Sequence, residues 1–297
     1  MFKFKKIFSI ACLACFAGLL YQGSAFAIVK IGVLAKRSVP QSMRKWGPTG
    51  TYLSEQIGEK VIIVPLKFDA IEQSVTTGRI DFLLANSAFH VEMEKKYQAR
   101  AVATMINSRE GKALNKFGGV IFTRKDSPIN SLADIKGKKF LCVKMSSFGG
   151  AHMAWRVFLE NGIDPQKDFA AFLEGNSHDK VVLAIKNGEA DAGTVRSDTL
   201  ERMAAEGKIK MSDFKIINQI KDDFPFVHST ELYPEWPMAA LPTTDAVVAD
   251  KIKKALMSID SKSPAAKAAK IVGWTEAADY TSVRECLKTI KFGAFAN

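Results

Sequence analysis

Cysteine is scarce in this sequence: four residues in 297, with Cys12 and Cys15 inside the first 27. That excludes a disulfide-rich scaffold and a multi-cysteine metal centre. Long apolar runs are also scarce. The run IFSIACLACFAGLL covers 14 residues, short of the roughly 20 that span a bilayer. Histidine is limited to His90, His152, His178 and His228, without metal-ligand spacing. No Gly-x-Ser-x-Gly elbow, His-Glu-x-x-His helix or GxxxxGK[ST] loop occurs. The chain is therefore expected not to be an enzyme and to need no cofactor or metal. Basic residues are scattered, with no aromatic-interleaved stripe, which argues against nucleic acid as a partner. There is no repeat at solenoid period and no low-complexity tail.

What is present begins with a leader. A basic start (MFKFKK), the apolar run and the small-x-small site Ala25-Phe26-Ala27 read as a secretory signal over 1–27, cut after Ala27. Cys15 is a poor match to a lipid-attachment box, so a soluble, monomeric product is expected. Lys3, Lys5 and Lys6 leave with the signal, and the formal charge falls from +11 to +8. That balance favours anionic partners. Cys142 and Cys286 are left as a pair. A bond between them would contribute about 4–5 kcal/mol by loop closure; two separate buried thiols is the other reading.

Periodicity then alternates. IVKIGVLA (28–35), VIIVPLKF (61–68), IDFLLAN (80–86), AVATMI (101–106), FGGVIFTR (117–124), FLCVKM (140–145), FAAFLEG (169–175) and ADAGTVRS (190–197) predict strands. Helices are predicted over 46–57, 70–78, from 87, over 150–161, 177–187, 244–259, 264–272 and 281–289. This rhythm implies α/β architecture with mainly parallel sheets and flanking helices. The segment FPFVHSTELYPEWPMAAL (224–241) is rich in proline and aromatics and reads as an extended crossing, stiffened by Pro234, Trp236 and Pro237.

The loop KMSSFGGAHMAW (144–155) sits between a predicted strand and helix. Ser146, Ser147, Gly149 and Gly150 fit an anion cradle of unpaired N–H groups at a helix start, or an ordinary serine cap. Lys144 adds charge beside it. His178 opens the next helix. Arg196 offers a guanidinium fork suited to an oxyanion. Asp198 fits a helix N-cap, with Glu201 completing a capping box. His152 is expected to be packed, and Cys142, in an apolar strand, to be inert.

Several phrases together resemble the phosphate/phosphite/phosphonate-type solute-binding proteins of ABC transporters: VKIGVLAKR, TTGRIDFLLANSAFHVEME, FGGVIFTRKDSPINSLADIKGKKF, SSFGG and NSHDKVVLAIKNGEADAG. LYPEWPMAALP and IVGWTEAADYTSVRECLKTIKFGAF are similar to a subgroup that supplies sensory domains of histidine kinases, including tetrathionate sensors. The likeness implies the two-lobed type II periplasmic binding fold, with two hinge crossovers near 115–122 and 222–232. One lobe would comprise 28–116 plus 230–297, the other 117–229. It implies that Ser146, Ser147, Phe148 and Gly149 grip the anion, that His178 touches it, and that Asp198 stands near a carboxylate that pairs with a ligand amine. In the first lobe it points to Phe68, Asn86, Ser87 and His90. Phe68 and His90 stand where phosphonate binders commonly have tyrosine, which suggests a larger or softer anion such as a sulfur oxyanion. The expected role is capture of a small oxyanion in the periplasm and delivery to an ABC permease. The alternative is presentation of the anion to a membrane histidine kinase. With no kinase or span seen up to Asn297, the chain is expected to act through such a partner.

Overall fold

The computed structural model describes residues 28–36 and 38–296. The expected signal lies outside the described residues. Two sheets carry the fold. In the first, the strands run in the order Ile271–Thr275, Arg100–Arg109, Pro237–Ala240, Phe82–Leu84, Val29–Leu34, Val61–Leu66, with Lys112–Leu114 paired to Arg100–Arg109. In the second the order is Phe214–Ile217, Gly119–Arg124, Ala192–Arg196, Lys139–Cys142, Ala171–Glu174.

Both sheets are mixed. Val29–Leu34 pairs in parallel with Val61–Leu66 and Phe82–Leu84, as the βαβ rhythm requires. Pro237–Ala240 and Ile271–Thr275 run antiparallel. The second sheet has parallel pairs around Lys139–Cys142 and antiparallel ones around Gly119–Arg124. The physical reason is the crossing: a chain that leaves one sheet and returns after another enters from the opposite end. Two segments thus differ from expectation. PMAA, inside the proline-rich stretch, is a strand buried between two others. Ile271–Thr275 is a strand, because the preceding helix ends at Ala269 with Lys270 left-handed.

Where the chain crosses, Lys116–Phe117 and Tyr233–Pro234 form a two-stranded antiparallel ribbon. Phe117, Phe148 and Tyr233 meet edge-on there, with centroids 6.2 and 4.9 Å apart. All three are buried in the core of the first sheet, so the seam between the lobes is apolar on the hinge side. Helix starts are locally encoded. Ser38 and Gln41 form a capping box and Gly58 closes the same helix at φ 71°. That helix, Val39–Ile57, begins seven residues before the predicted Trp46, because the cap overrides weak apolar periodicity in its first two turns.

Cys142 and Cys286 are free and buried. The disulfide reading is corrected: Cys142 sits in the second sheet with its thiol 4.0 Å from the Met145 sulfur, and Cys286 lies in the helix Thr281–Thr289, 3.7 Å from the His152 carbonyl. Burial pushes both thiols up to about 12, so neither forms thiolate at neutral pH.

Candidate functional site

Strand ends from both lobes converge on a cleft of about 840 Å³. In α/β sheets ligands bind beyond the carboxyl ends of strands, where loops face one space. Lys36 follows Val29–Leu34, Asn86 follows Phe82–Leu84, and Asn107 and Arg109 end Arg100–Arg109. From the second lobe come Ser147, His178, Arg196 and Asp198. Eight cationic side chains and three carboxylates line this space.

At its floor lies a charged cluster that joins the lobes. Arg196 donates from Nη2 to Glu235 at 2.8 Å and from Nε to Asp198 at 3.1 Å. Its guanidinium lies 4.3 Å from the Phe117 ring centroid. Arg109 Nε lies 3.0 Å from Asp198 without hydrogen-bond alignment. Glu235 also accepts from the Asn107 amide and from the Trp236 N–H at 3.3 Å. Burial raises the Glu235 carboxyl, but Arg196, Arg109 and Asn107 together outweigh it and hold the group below its ordinary value. Burial lowers the Arg196 guanidinium, and Glu235 and Asp198 more than reverse this, so it stays charged.

The cations without carboxylates behave differently. Lys45 is brought down to about 7 by burial and then by Arg109. Lys36 is also lowered well below its ordinary value, by burial and then Arg196 and Lys45. Lys36 nevertheless shows exposed surface. The two facts describe one situation: water reaches the ammonium through the cleft, while the walls around it keep the local dielectric low.

His178 opens the helix His178–Asn187, capped by Ser177. Its Nδ1 accepts the Arg196 backbone N–H at 3.3 Å, which leaves Nε2 as the protonated nitrogen of the neutral ring. Burial, Lys36 and Arg196 hold it neutral. His178 is thus a donor without being a cation.

In SSFGG the chain forms one π-helical turn, Phe148–His152, ahead of the helix Met153–Glu160. Such turns recur at functional sites. Ser147 occupies the N-cap without making a side-chain cap bond. The glycines serve packing: a Cβ on Gly149 would lie 2.7 Å from Phe117, and one on Gly150 would lie 2.6 Å from Val143.

Of the residues singled out in the sequence, Phe68, Asn86, Ser147, Phe148, Gly149, His178, Arg196 and Asp198 line the cleft. Ser146, Ser87 and His90 do not. Ser146 presents its carbonyl to the Asn86 amide across the lobes at 3.4 Å. Ser87 donates to the Pro234 carbonyl at 2.7 Å. His90 is buried against Tyr280, with centroids 4.8 Å apart, and burial takes it down to about 4. Asp198 does stand at an N-cap, but left-handed at φ 74° and without a cap bond, because its carboxylate faces arginines. Glu201 accepts from the Val227 N–H instead of closing a box. His152 is packed, with its Nε2 against the Met145 carbonyl.

Sequence reasoning missed Lys36, Lys45, Asn107, Arg109 and Glu235 as site residues. Three of these sit just past or at the end of a strand, a positional signal that could have found Lys36, Asn107 and Arg109. Trp236, expected only to stiffen the crossing, faces the cleft under Lys36 at 4.0 Å. Among the described residues no group of three or more His, Cys, Asp or Glu is placed to hold a metal. No described helix is long and apolar enough to cross a membrane.

Against known proteins, residues 31–281 match the family model described as "ABC transporter, phosphonate, periplasmic substrate-binding protein". The tetrathionate sensor histidine kinase of Salmonella typhimurium is 31% identical over 289 residues, covering 97% of this chain and 48% of the kinase. The phosphonates-binding periplasmic protein of Escherichia coli is 22% identical over 225 residues, covering 72% of this chain and 63% of that protein. The chain thus spans about half the length of the kinase and under two thirds of the binding protein. In fold it is similar to the binding component of a phosphonate ABC transporter from Pseudomonas aeruginosa, with a TM-score of 0.71 at 18% identity, covering 89% of this chain and 86% of that one. A two-lobed, mixed α/β chain with one cationic cleft, matched along most of its length, belongs to the phosphonate-type periplasmic substrate-binding family.

Proposed function

We propose that this chain captures a small oxyanion, phosphate- or phosphonate-like or a sulfur oxyanion, in the interlobe cleft and delivers it in the periplasm to an ABC permease. The observation that carries the reading is the excess of cationic over carboxylate side chains lining one cleft. An anion there restores charge balance and takes hydrogen bonds from His178 Nε2, the Ser147 hydroxyl and the Asn86 amide. Donors from both lobes favour the closed arrangement over the open one, and a membrane partner reads the closed form.

A second reading has its own support. The 31% identity to a sensor kinase runs along 97% of this chain, which favours a protein that presents the anion to a membrane histidine kinase. Permease genes beside this one would support transport; kinase and regulator genes would support sensing.

The test is thermal unfolding with phosphate, methylphosphonate, thiosulfate, tetrathionate and sulfite. A bound anion raises the midpoint by mass action. Ser147→Ala combined with His178→Ala is expected to abolish the shift without unfolding the protein. If no anion raises the midpoint, the reading fails.

A further inference from the structure

The charges in the cleft are unevenly matched. Every carboxylate lining the cleft, and Glu235 beneath it, is already paired. Asp198 is held by Arg196 and Arg109, and Glu235 by Arg196. Asp179 and Glu206 are held by Arg202 and Lys208. Of the four lining cations left without a carboxylate among the described residues, Arg44, Lys270, Lys36 and Lys45, the last two are seated on indole faces. Lys36 Nζ stands 4.0 Å from the Trp236 ring centroid and Lys45 Nζ 5.0 Å from that of Trp46. Neither forms a salt bridge among the described residues. An indole face attracts a cation but does not neutralise it. When protonated, the pair places two uncompensated charges in the same walled space, beside Arg109 and Arg196.

Resting on the oxyanion reading above, we propose that Lys36 and Lys45 select a ligand with two negative charges and no ammonium group. A dianion neutralises both lysines at once. A monoanion leaves one of them uncompensated. A ligand ammonium finds no free carboxylate and meets two like charges instead. Phosphonate-like and sulfur oxyanions share the required chemistry, and the probes below separate them. Because burial and neighbouring cations weaken proton binding at both lysines, capture of a dianion is coupled to proton uptake near neutral pH.

Isothermal titration of the protein tests this with thiosulfate as the full dianion, methylphosphonate as a phosphonate whose second proton leaves near neutral pH, methanesulfonate as monoanion, and 2-aminoethylphosphonate as the phosphonate with an ammonium group. At least one dianion is expected to bind about tenfold or more tighter than methanesulfonate, since a charge-assisted contact corresponds to roughly tenfold to hundredfold. Methylphosphonate is expected to outbind 2-aminoethylphosphonate. Lys36→Met and Lys45→Met keep the stem over the indole and remove the charge. Each is expected to weaken dianion binding about tenfold or more and to raise the melting midpoint of the empty protein, since each removes an unpaired charge from a desolvated site. The heat of thiosulfate binding is expected to vary with buffer ionisation enthalpy in the wild type and less so in Lys45→Met. Equal binding of methylphosphonate and its amino derivative, or undiminished binding by both lysine variants, overturns this inference and leaves oxyanion capture standing. Binding of no probe overturns both.

Discussion

Glu235 is the sharpest point at which to perturb the site. It has no exposed surface, and its carboxylate meets Arg196 at 2.8 Å, the Asn107 amide and the Trp236 N–H. Glu235→Ala removes the acceptor and leaves Arg196 with Asp198 alone, in a cleft already rich in cations. Breaking a buried pair from one side costs about 3–5 kcal/mol, because the remaining charge stays desolvated. At roughly 2–4 °C per kcal/mol for a chain of this size, the melting midpoint falls by roughly 6–20 °C. Circular-dichroism melts of the wild type, Glu235→Ala, Arg196→Met and the double variant measure it. The double variant removes both charges together, so its loss should be smaller than the sum of the singles by roughly 0.5–3 kcal/mol. Strict additivity, or a fall of under about 1 kcal/mol for Glu235→Ala, would refute the claim that this pair holds the floor of the cleft.

Other consequences are measurable. Lys45 titrates at about 7 when folded against an ordinary 10.5, so the unfolded chain binds more protons between those values and stability of the empty protein should rise with pH across that window; denaturant titrations of Lys45→Met should lack that rise. Glu235 is held below 4.5, so its contribution is present above the ordinary glutamate range and is lost as pH falls through the lower folded value; Glu235→Gln should flatten the acid limb of the same titration. Gly149→Ala drives a Cβ to 2.7 Å from Phe117 and 3.1 Å from Arg196, and should cost about 1–3 kcal/mol together with weaker anion binding, read by melting and titration side by side. Cys142 and Cys286 should resist alkylation in the native protein and both react after denaturation; fewer than two reactive thiols in 28–297 would reinstate the bond between them.

Much was legible before any fold was known. Parallel strands such as Val29–Leu34 are apolar on both faces and bounded by caps, so their existence follows from local sequence. The capped helix at His178 and the SSFGG turn did too, because a helix start is written in a few adjacent residues. The misplaced elements have a common cause. PMAA looks like the tail of a loop, and IVGWT like the end of a helix, until neighbouring strands supply hydrogen bonds and cover. Strand identity at short range depends on partners that are remote in sequence.

The cleft divides in the same way. An excess of positive charge, small residues at a turn and a family likeness pointed to an anion and to Ser147, His178 and Arg196, which line the cleft. They could not say which carboxylates were free. Asp198 reads as a cap or an amine partner in one dimension; in three it is held between Arg196 and Arg109. Glu235 reads as part of a stiff crossing, yet it anchors the cluster, and Lys36 and Lys45 emerge as unmatched cations on indole faces only once every carboxylate has been assigned. The sequence by itself determined the net charge, the caps and the strand–helix rhythm, because these depend on residues close in the chain. Which charges neutralise one another, and hence which charge a ligand must bring, was decided only by tertiary structure, since ion pairing depends on a few ångströms of separation between segments remote in the chain, 89 residues apart for Arg109 and Asp198.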